Sequence, residues 1–523
     1  MERSLDTTNA EHITYKRPPL EITILGGIRL DGLDRLRTTL KIQVEHLAIR
    51  HNLDLYNDNQ LEKLTRKAAE RLEVGTSVVT AALLELTDLL EQYRLGEIER
   101  QATKEDQRKM LTPDEIKQAK LYLSSPNLME RTGQDIGRAG VIGEETNRLL
   151  MYLIFTSRKR ETPLHIISLG ASGIGKTHLQ EKVGQLIPDE DKLEITTLSE
   201  NAFYYFGQRQ LQHKLILIED MDGAEGVLYP LRELQSKRKI NKTVVHKNTK
   251  GETQSINLKV EGPVCVAGCT TKEKLYEDNA NRSFLIYIDE SPEQDEQIMF
   301  YQRKLSAGKI DLAEEHQLQE RFKDMQRLLQ PVQVRNPFAE QLQIPKEVFK
   351  PRRTNAHYLA FIEVVTFYHQ YQREKQYDEI TGEEYIETTL EDIAAANDLM
   401  KEALIRKSDP LNQPCRKYFE WLKMWCKAEG NLLAGQARSS FTNKQIRQSL
   451  RINSSNQKRY MVQLQAYDYV QKVQGEKGKT HHYEITDLQE YEKLKAGISS
   501  ILDEILQNIK DGSKKSITSS RKK

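Results

Sequence analysis

The 523-residue sequence is short of long apolar runs. None approaches the roughly eighteen residues that would span a bilayer, and the opening MERSLDTTNAEH has no signal-peptide apolar segment. No membrane partner and a cytoplasmic location are therefore expected. Cysteine is scarce too. The four, at 265, 269, 415 and 426, form no C-x-x-C pair and have no histidine at ligand spacing, which argues against a zinc site or disulfide framework and for buried thiols. An excess of one charge is also missing. With 78 basic and 77 acidic residues the net charge is +1, which excludes a uniformly basic coat for nucleic acid and leaves only local basic surfaces. No internal repeat is visible, and the one biased segment, SKKSITSSRKK, reads as a solvated tail. What is present in quantity is chain: at about 100 to 200 residues per domain, three or four domains are expected.

The most informative stretch is HIISLGASGIGKTHL, His165 to Leu179. An apolar run gives way to glycines and then to Lys-Thr, the order of a strand, a phosphate-cradling loop and the first turn of a helix. A loop that wraps polyphosphate must turn successive backbone N–H groups toward one point, and side chains would block the required angles. Gly170, Gly173 and Gly175 supply that freedom, and Ala171, Ser172 and Ile174 complete the loop. Lys176 would set an ammonium against the terminal phosphates and Thr177 a hydroxyl on magnesium, with His178 next on a helix whose dipole points its positive end at the anion. ATP and Mg2+ are the expected ligands.

A second apolar strand, KLILIEDMDG, ends in acids. A carboxylate pair there suits magnesium, which takes oxygen ligands, and the orientation of an attacking water. Glu219 is assigned to the metal and Asp220 to the water; the Glu-Asp order reverses the commoner one and leaves the split of roles open. From Lys237 to Gly262 two alternating runs flank Asn248-Thr249-Lys250-Gly251, a β-hairpin signal. A buried strand, PVCVAGCTT, follows and ends at Thr270 and Thr271. Then YEDNANRSFLIYIDE places Arg282 before another apolar strand.

Before the loop, LEITILGGIRL alternates like a strand, DGLDRLRTTLKI shows helical spacing, and two amphipathic helices are expected between Asn59 and Tyr93, separated at Val74 to Thr76. The pair reads as a scaffold or docking surface, with DNA binding as the alternative. A charged linker, GEIERQATKEDQRK, follows. Thr112-Pro113-Asp114-Glu115 caps a helix. After the core, IPKEVFKPRRTNAHYLAFIEVVTFYHQYQRE is a proline-bounded aromatic helix with Arg352 and Arg353 at its start, and Trp421 and Trp425 read as core rather than base-stacking groups. The segment FTNKQIRQSLRINSSNQKRYMVQLQAYDYVQKVQGEKGKTHHYEITD has the cadence of a winged helix. Its second helix carries Gln457, Lys458, Arg459 and Gln463, and its wing Lys477, Lys479, His481 and His482. Such groups neutralise phosphates and reach base edges, although some winged helices bind proteins instead.

Together GASGIGKT, LILIEDMDG, the hairpin, CTT and NANRSF resemble AAA+ helicases of the pre-sensor hairpin group, which includes the superfamily 3 and MCM helicases; EDMD echoes the D-E-x-D of the latter. LEITILGGIRLDGLDRLRTTLKI, TGQDIGRAGVIGEETNRLLMYLIFTSR and PRRTNAHYLAFIEVVTFYHQYQRE are similar to the helicase-like part of bacterial primase-helicases carried by mobile elements. The resemblance implies a multidomain α/β and α fold. A helical N-terminal module (1–110) would precede an AAA+ P-loop core with a parallel sheet (111–325), a helical lid (326–432), a C-terminal winged helix (433–490) and a C-terminal helix with a basic tail (491–523). It implies that Thr270 senses the γ-phosphate, that Arg282 reaches the neighbouring subunit's nucleotide and that Arg352 or Arg353 acts as a lid sensor, a surface ion pair being the alternative. The hairpin tip would offer His246, Lys247 and Lys250 to DNA, an ordinary solvated turn being the alternative. The expected activity is that of an ATP-dependent DNA helicase or translocase in mobile-element replication, working as a ring, expected to be a hexamer. The zinc cysteines and primase acids of that group are absent, so a separate primase is the implied partner. An ATPase that loads DNA-acting proteins or regulates transposition or transcription without unwinding is the competing reading.

Overall fold

The computed structural model describes residues 4–9, 11–28, 35–105, 109–196, 199, 201–223, 225–247, 253–272, 282–429, 440–450, 452–473 and 481–520. The chain divides into two compact units, residues 1–110 and 111–523.

The first unit departs from the helical module expected there. Strands β1 (Ser4–Asp6), β2 (His12–Arg17), β3 (Leu20–Leu25), β4 (Arg37–Val44) and β5 (Leu47–Asp54) form an antiparallel sheet in sequence order, followed by helices α1 (Asp58–Arg71) and α2 (Thr76–Glu105). The stretch read as helical, DGLDRLRTTLKI, runs into β4, RTTLKIQV, which obeys a period of two instead: Thr38, Leu40 and Ile42 are buried while Arg37 is exposed. Three of its first six residues are β-branched, which favours the pleated surface. The two helices fall where the leucine spacing puts them. Asn57 caps α1, its side chain accepting from Gln60 N at 3.1 Å, and Leu64, Ala68, Val79, Leu83, Leu86 and Leu90 cover the sheet's Ile13, Ile22, Ile24 and Ile42. Helix α2 runs through Gly96 into the stretch read as a charged linker.

The second unit opens with α3 (Pro113–Leu123), α4 (Leu128–Arg138) and α5 (Glu145–Thr156). Thr112 and Glu115 form a reciprocal capping box at the start of α3. Then come β6 (Ile166–Leu169), α6 (Lys176–Gly184), β7 (Lys192–Ile195), β8 (Lys214–Ile218), α7 (Leu228–Lys237), the paired strands β9 (Lys239–Lys247) and β10 (Thr253–Glu261), β11 (Val264–Thr270) and β12 (Phe284–Tyr287). Strands β12-β6-β11-β8-β7, in that spatial order, make one parallel sheet. Every residue of β6 and of β11 is buried, as parallel strands covered on both faces require. Helices α8 (Pro292–Ser306) and α9 (Leu312–Leu328) lead to β13 (Gln333–Arg335), α10 (Pro351–Tyr368), β14 (Gln376–Tyr377), β15 (Glu384–Glu387), α11 (Leu390–Ser408) and α12 (Gln413–Glu429). The region expected to be a helical lid thus also holds a small sheet, β13-β15-β14.

Last come β16 (Phe441–Thr442), α13 (Asn443–Leu450), α14 (Ser454–Ala466), β17 (Val470–Val473), β18 (His482–Ile485) and α15 (Glu490–Ser520), which extends through most of the segment read as a solvated tail. One apolar cluster runs from Ala119 through the sheet to Ile405 and takes in Ile498, Leu502 and Ile509 of α15, crossing the expected boundary at 325/326. A separate cluster joins α12 to the last sheet through Phe419, Leu422, Phe441, Ile446, Leu464 and Tyr483. Helix α12 therefore shares a core with the segment from β16 to β18, across the expected boundary at 432/433. The four cysteines are buried, as expected.

Candidate functional site: a phosphate loop at the carboxyl edge of the sheet

Register sets the site. Leu169, the last residue of β6, pairs with Thr270, the last of β11, and Ile218, the last of β8, pairs with Gly268. The loop after β6, the acids after β8 and the end of β11 thus lie side by side at the carboxyl ends of the strands, where open parallel sheets bind ligands.

In the loop Gly170, Gly173 and Gly175 have φ of +149°, +86° and +93°. A Cβ on Gly170 would fall 2.1 Å from Ile174 Cδ1, whereas none added to Gly173 or Gly175 would meet an atom within 4 Å, so there is open space beside those two glycines. Ala171 and Ser172 are exposed and Ile174 half-buried. Lys176 opens α6 at 7% exposure, and its Nζ donates to the carbonyls of Gly170 at 2.9 Å and Ala171. A buried ammonium held by carbonyls alone is under-compensated, and an anion in the loop would offset that cost. The residues present therefore fit a bound polyphosphate. Thr177 is half-buried beside them and His178 is exposed. Gln180, 1% exposed, fixes α6 to the sheet: its Nε2 donates to Ile218 O at 3.1 Å and its Oε1 accepts from Cys269 Sγ at 3.5 Å. Burial pushes the Cys269 thiol up to about 12, so it acts as a neutral donor and not as a nucleophile.

Past β8, Glu219 is half-buried with its N–H donating to Ile195 O at 3.1 Å, and Asp220 is exposed with Oδ1 accepting from Asp222 N at 2.8 Å. The third acid, Asp222, was given no role from sequence. Its Oδ1 accepts from Thr270 Oγ1 at 2.5 Å, and its Oδ2 accepts from Thr271 N at 3.0 Å and Thr271 Oγ1 at 2.7 Å. Partial burial raises its pKa, but the bonds from Thr270 and Thr271 outweigh that and hold the carboxyl below the ordinary range. The Thr270 hydroxyl is thus committed to Asp222, and it accepts in turn from Lys272 N at 3.1 Å. The sequence signal for this link was the spacing of EDMD together with two consecutive threonines.

Arg282 sits elsewhere. It precedes Phe284, which pairs with Ile166, while the loop leaves the sheet after Leu169. It therefore lies at the amino end of β6, about 10 Å or more from its own loop along the strand. Its Nε donates to Ser236 Oγ at 2.7 Å, near the end of α7.

Residues 134–330 match the family described as the MTBMA_p00010 P-loop domain. This region is a P-loop domain. Its parallel sheet flanked by helices fits an α/β core of the AAA+ kind. No curated protein matches the chain. Among solved structures it is similar to a full-length MCM homolog from Methanopyrus kandleri, at 12% identity and a TM-score of 0.37, over 57% of this chain and 62% of that one. It is also similar to the C-terminal region of NrS-1, at 12% and 0.24 over 72% and 76%. A third likeness is to the active helicase Cch of SCCmec type IV, at 9% and 0.26 over 96% and 99%.

The P-loop domain carries the expected hairpin between α7 and β11. Strands β9 and β10 pair from Lys239↔Glu261 to Lys247↔Thr253, about 30 Å of ribbon, with the basal Ile240 and Val260 in a core cluster. His246 and Lys247 fall on its distal end, and Lys250 lies outside the described residues. Lys242 Nζ donates to Asn201 Oδ1 and lies 5.2 Å from the centre of the Tyr204 ring. Arg352 and Arg353 are exposed on the first turn of α10, whose His357 and Phe361 pack on Phe284 of the edge strand β12. On α14, Lys458 and Arg459 are exposed, with the Arg459 guanidinium 5.1 Å from the Tyr460 ring centre. Gln457, read with them as a surface group, is instead 2% exposed and donates to Asn443 O at 3.0 Å. His481 and His482 are exposed, and Lys477 and Lys479 lie outside the described residues.

Among the described residues no group of three or more His, Cys, Asp or Glu side chains could hold a metal alone. Magnesium needs no such cage, since it is held through one or two protein oxygens and the substrate's phosphates. Among the described residues no helix is long and apolar enough to cross a membrane.

Proposed function

We propose that the protein is a ring-forming ATPase that moves on or unwinds DNA in the replication of a mobile element. Lys176 and the N–H groups of residues 170–177 bind the phosphates, and Thr177 and Glu219 supply protein oxygens to magnesium. Bound magnesium would neutralise charge on the terminal phosphates. Asp220 orients the attacking water, and Thr270, held by Asp222, faces the terminal phosphate. The observation that carries a ring is the position of Arg282. At the far end of the sheet from its own loop it is poorly placed for its own nucleotide, and that placement supports a role at a neighbour's, where a guanidinium's fixed charge and fork suit phosphate. In this reading α13, α14 and the β17–β18 pair form a winged helix that tracks DNA, the β9–β10 ribbon contacts the strand, Arg352 or Arg353 senses the nucleotide from the lid, and a separate primase docks on the N-terminal unit.

A forked-duplex assay tests this with wild type, Lys176→Ala and Asp220→Asn. Wild type should hydrolyse ATP and separate the strands, and both variants should do neither. Hydrolysis without unwinding or translocation would favour an ATPase that loads or regulates DNA-acting proteins; absence of hydrolysis with any DNA would end the enzyme assignment.

A further inference from the structure

Helix α8 is tied to the rest of the second unit by polar side chains. Gln294, its one buried residue, donates from Nε2 to Ile142 O at 3.0 Å, and Tyr301 donates its hydroxyl to Glu315 Oε1 at 2.8 Å. Its outer surface is apolar all the same. Met299, Phe300 and Leu305 are 44%, 52% and 42% exposed, and among the described residues no apolar side chain of α8 joins a core cluster. A helix of this length is marginal without a packed apolar face, and apolar groups gathered in water mark a surface that another protein covers. The place where α8 begins points to which protein. Two residues before it, Glu290 Oε1 lies 3.9 Å from where a Cβ on Gly170 would be, so α8 starts beside the phosphate loop. A neighbouring copy that brings its Arg282 to that loop comes up against α8. Charge agrees with a second copy. Five of the eight residues from Asp289 to Glu296 are acidic, and all five are exposed. At the opposite end of the sheet Arg282 donates to Ser236 Oγ, and Ser236 leads into the exposed run Lys237-Arg238-Lys239 at the end of α7. Pairs within the chain, Glu296 with Arg303 and Lys237 with Glu233, lie at exposed positions where such bonds are weak and exchange readily.

We propose that α8 is the docking element between copies of this chain: Met299 and Phe300 seat on the end of α7 of the next copy, and the acids of residues 289–296 face its Lys237, Arg238 and Lys239. The inference rests on the ring reading and adds the part that holds Arg282 of one copy at the phosphate loop of another. A head-to-tail repeat sets the acidic end of one sheet against the basic end of the next at every joint, which fixes register and excludes a head-to-head contact of like charges. The aliphatic stems of Lys237 and Lys239 give the Phe300 ring apolar surface, and their ammonium groups suit its face. Within one copy Lys304 already takes that role, with Nζ 4.4 Å from the Phe300 ring centre.

Sedimentation of the full chain with a non-hydrolysable ATP analogue reads assembly, and equilibrium binding of the same analogue to dilute protein reads the phosphate loop. Phe300→Asp should raise the Kd for assembly at least about tenfold, the loss of one well-seated interface anchor, and leave analogue affinity within about twofold of wild type. Its urea midpoint should be unchanged, because Phe300 is exposed in the single chain. Asp295→Lys with Glu296→Lys should weaken assembly, and so should Lys237→Glu with Lys239→Glu. All four changes in one chain should restore it, which a mere loss of fold would not allow. Should Phe300→Asp lower the urea midpoint, the charge-reversed variants decide alone. If Phe300→Asp keeps its fold and assembles like wild type, α8 is not the docking element and its apolar face belongs to a different protein. If the four-change variant assembles no better than either pair, α8 does not dock on the end of α7 and the proposal falls. If wild type binds the analogue and does not assemble, the ring reading fails, and this inference with it.

Discussion

Asp222→Asn isolates the link between the acids after β8 and the end of β11. The carboxylate accepts three hydrogen bonds, from the Thr270 hydroxyl and from the Thr271 N–H and hydroxyl. An asparagine of the same shape keeps one acceptor oxygen and turns an N–H₂ donor toward the other partners. Hydrogen bonds to a charged group contribute about 1.5 to 3 kcal/mol each. Asp222 is only half-buried and water can replace part of what is lost, so the lower figure, about 1.5 kcal/mol, is the better estimate of the net loss. If that energy holds Thr270 where the terminal phosphate reacts, its loss lowers kcat by about tenfold. Steady-state phosphate release at saturating ATP reads kcat, and a urea midpoint on the same samples reads stability. A folded Asp222→Asn protein whose kcat lies within twofold of wild type would refute the reasoning, since Thr270 would then need no carboxylate to hold it.

Other outcomes follow from the same geometry. Lys176→Ala should raise the ATP Kd about 100-fold by equilibrium binding, since a buried ammonium beside phosphate contributes a few kcal/mol. Arg282→Ala should cut kcat by about a thousandfold with little change in ATP affinity, and doping it into wild type should lower activity by more than its mole fraction. On the hairpin, Lys247→Ala should weaken DNA binding similarly across sequences and reduce the salt slope by about one. Acid should destabilise the second unit. Burial holds the His165 and His357 imidazoles down to about 3, and His165 Nδ1 accepts from Val266 N at 3.3 Å, which a protonated ring could not do. The unfolded histidines take up protons near 6.5 and the folded ones do not until about 3. Between those values the unfolded state binds more protons, and stability falls as pH drops, by up to about 1.4 kcal/mol per pH unit for each histidine. Urea midpoints from pH 7 to 4 should show the slope, and His357→Phe, which keeps a ring on Phe284, should reduce it.

The P-loop domain was legible because its constraints are local. Glycines at fixed spacing, a lysine-threonine pair and apolar runs ending in acids each follow from what phosphate and magnesium demand of neighbouring residues. The N-terminal unit was legible only in part: β3 and the two helices fall where they were read, but DGLDRLRTTLKI shows helical spacing while RTTLKIQV alternates, and only pairing with β3 and β5 decides between them. Asp222 escaped for a different reason: its partners, Thr270 and Thr271, lie nearly fifty residues away, and only the adjacency of β8 and β11 joins them. Gln457 stood in a row with Lys458 and Arg459, but neighbours on a helix point about 100° apart, so one of three consecutive polar residues can face the core.

Strand β11 has a mechanical meaning. Seven residues long, it pairs with β8 over Val264–Gly268 and with β6 over Ala267–Thr270, so it is held by a neighbour along its whole length and works like a connecting rod. One end is bolted through Thr270 to Asp222, and the other is Val264, reached from the β10 strand of the ribbon through Gly262 and Pro263. A strand paired to one neighbour or the other at every residue resists local bending. A shift at the Thr270 end would therefore be felt about 20 Å away, at the root of the ribbon.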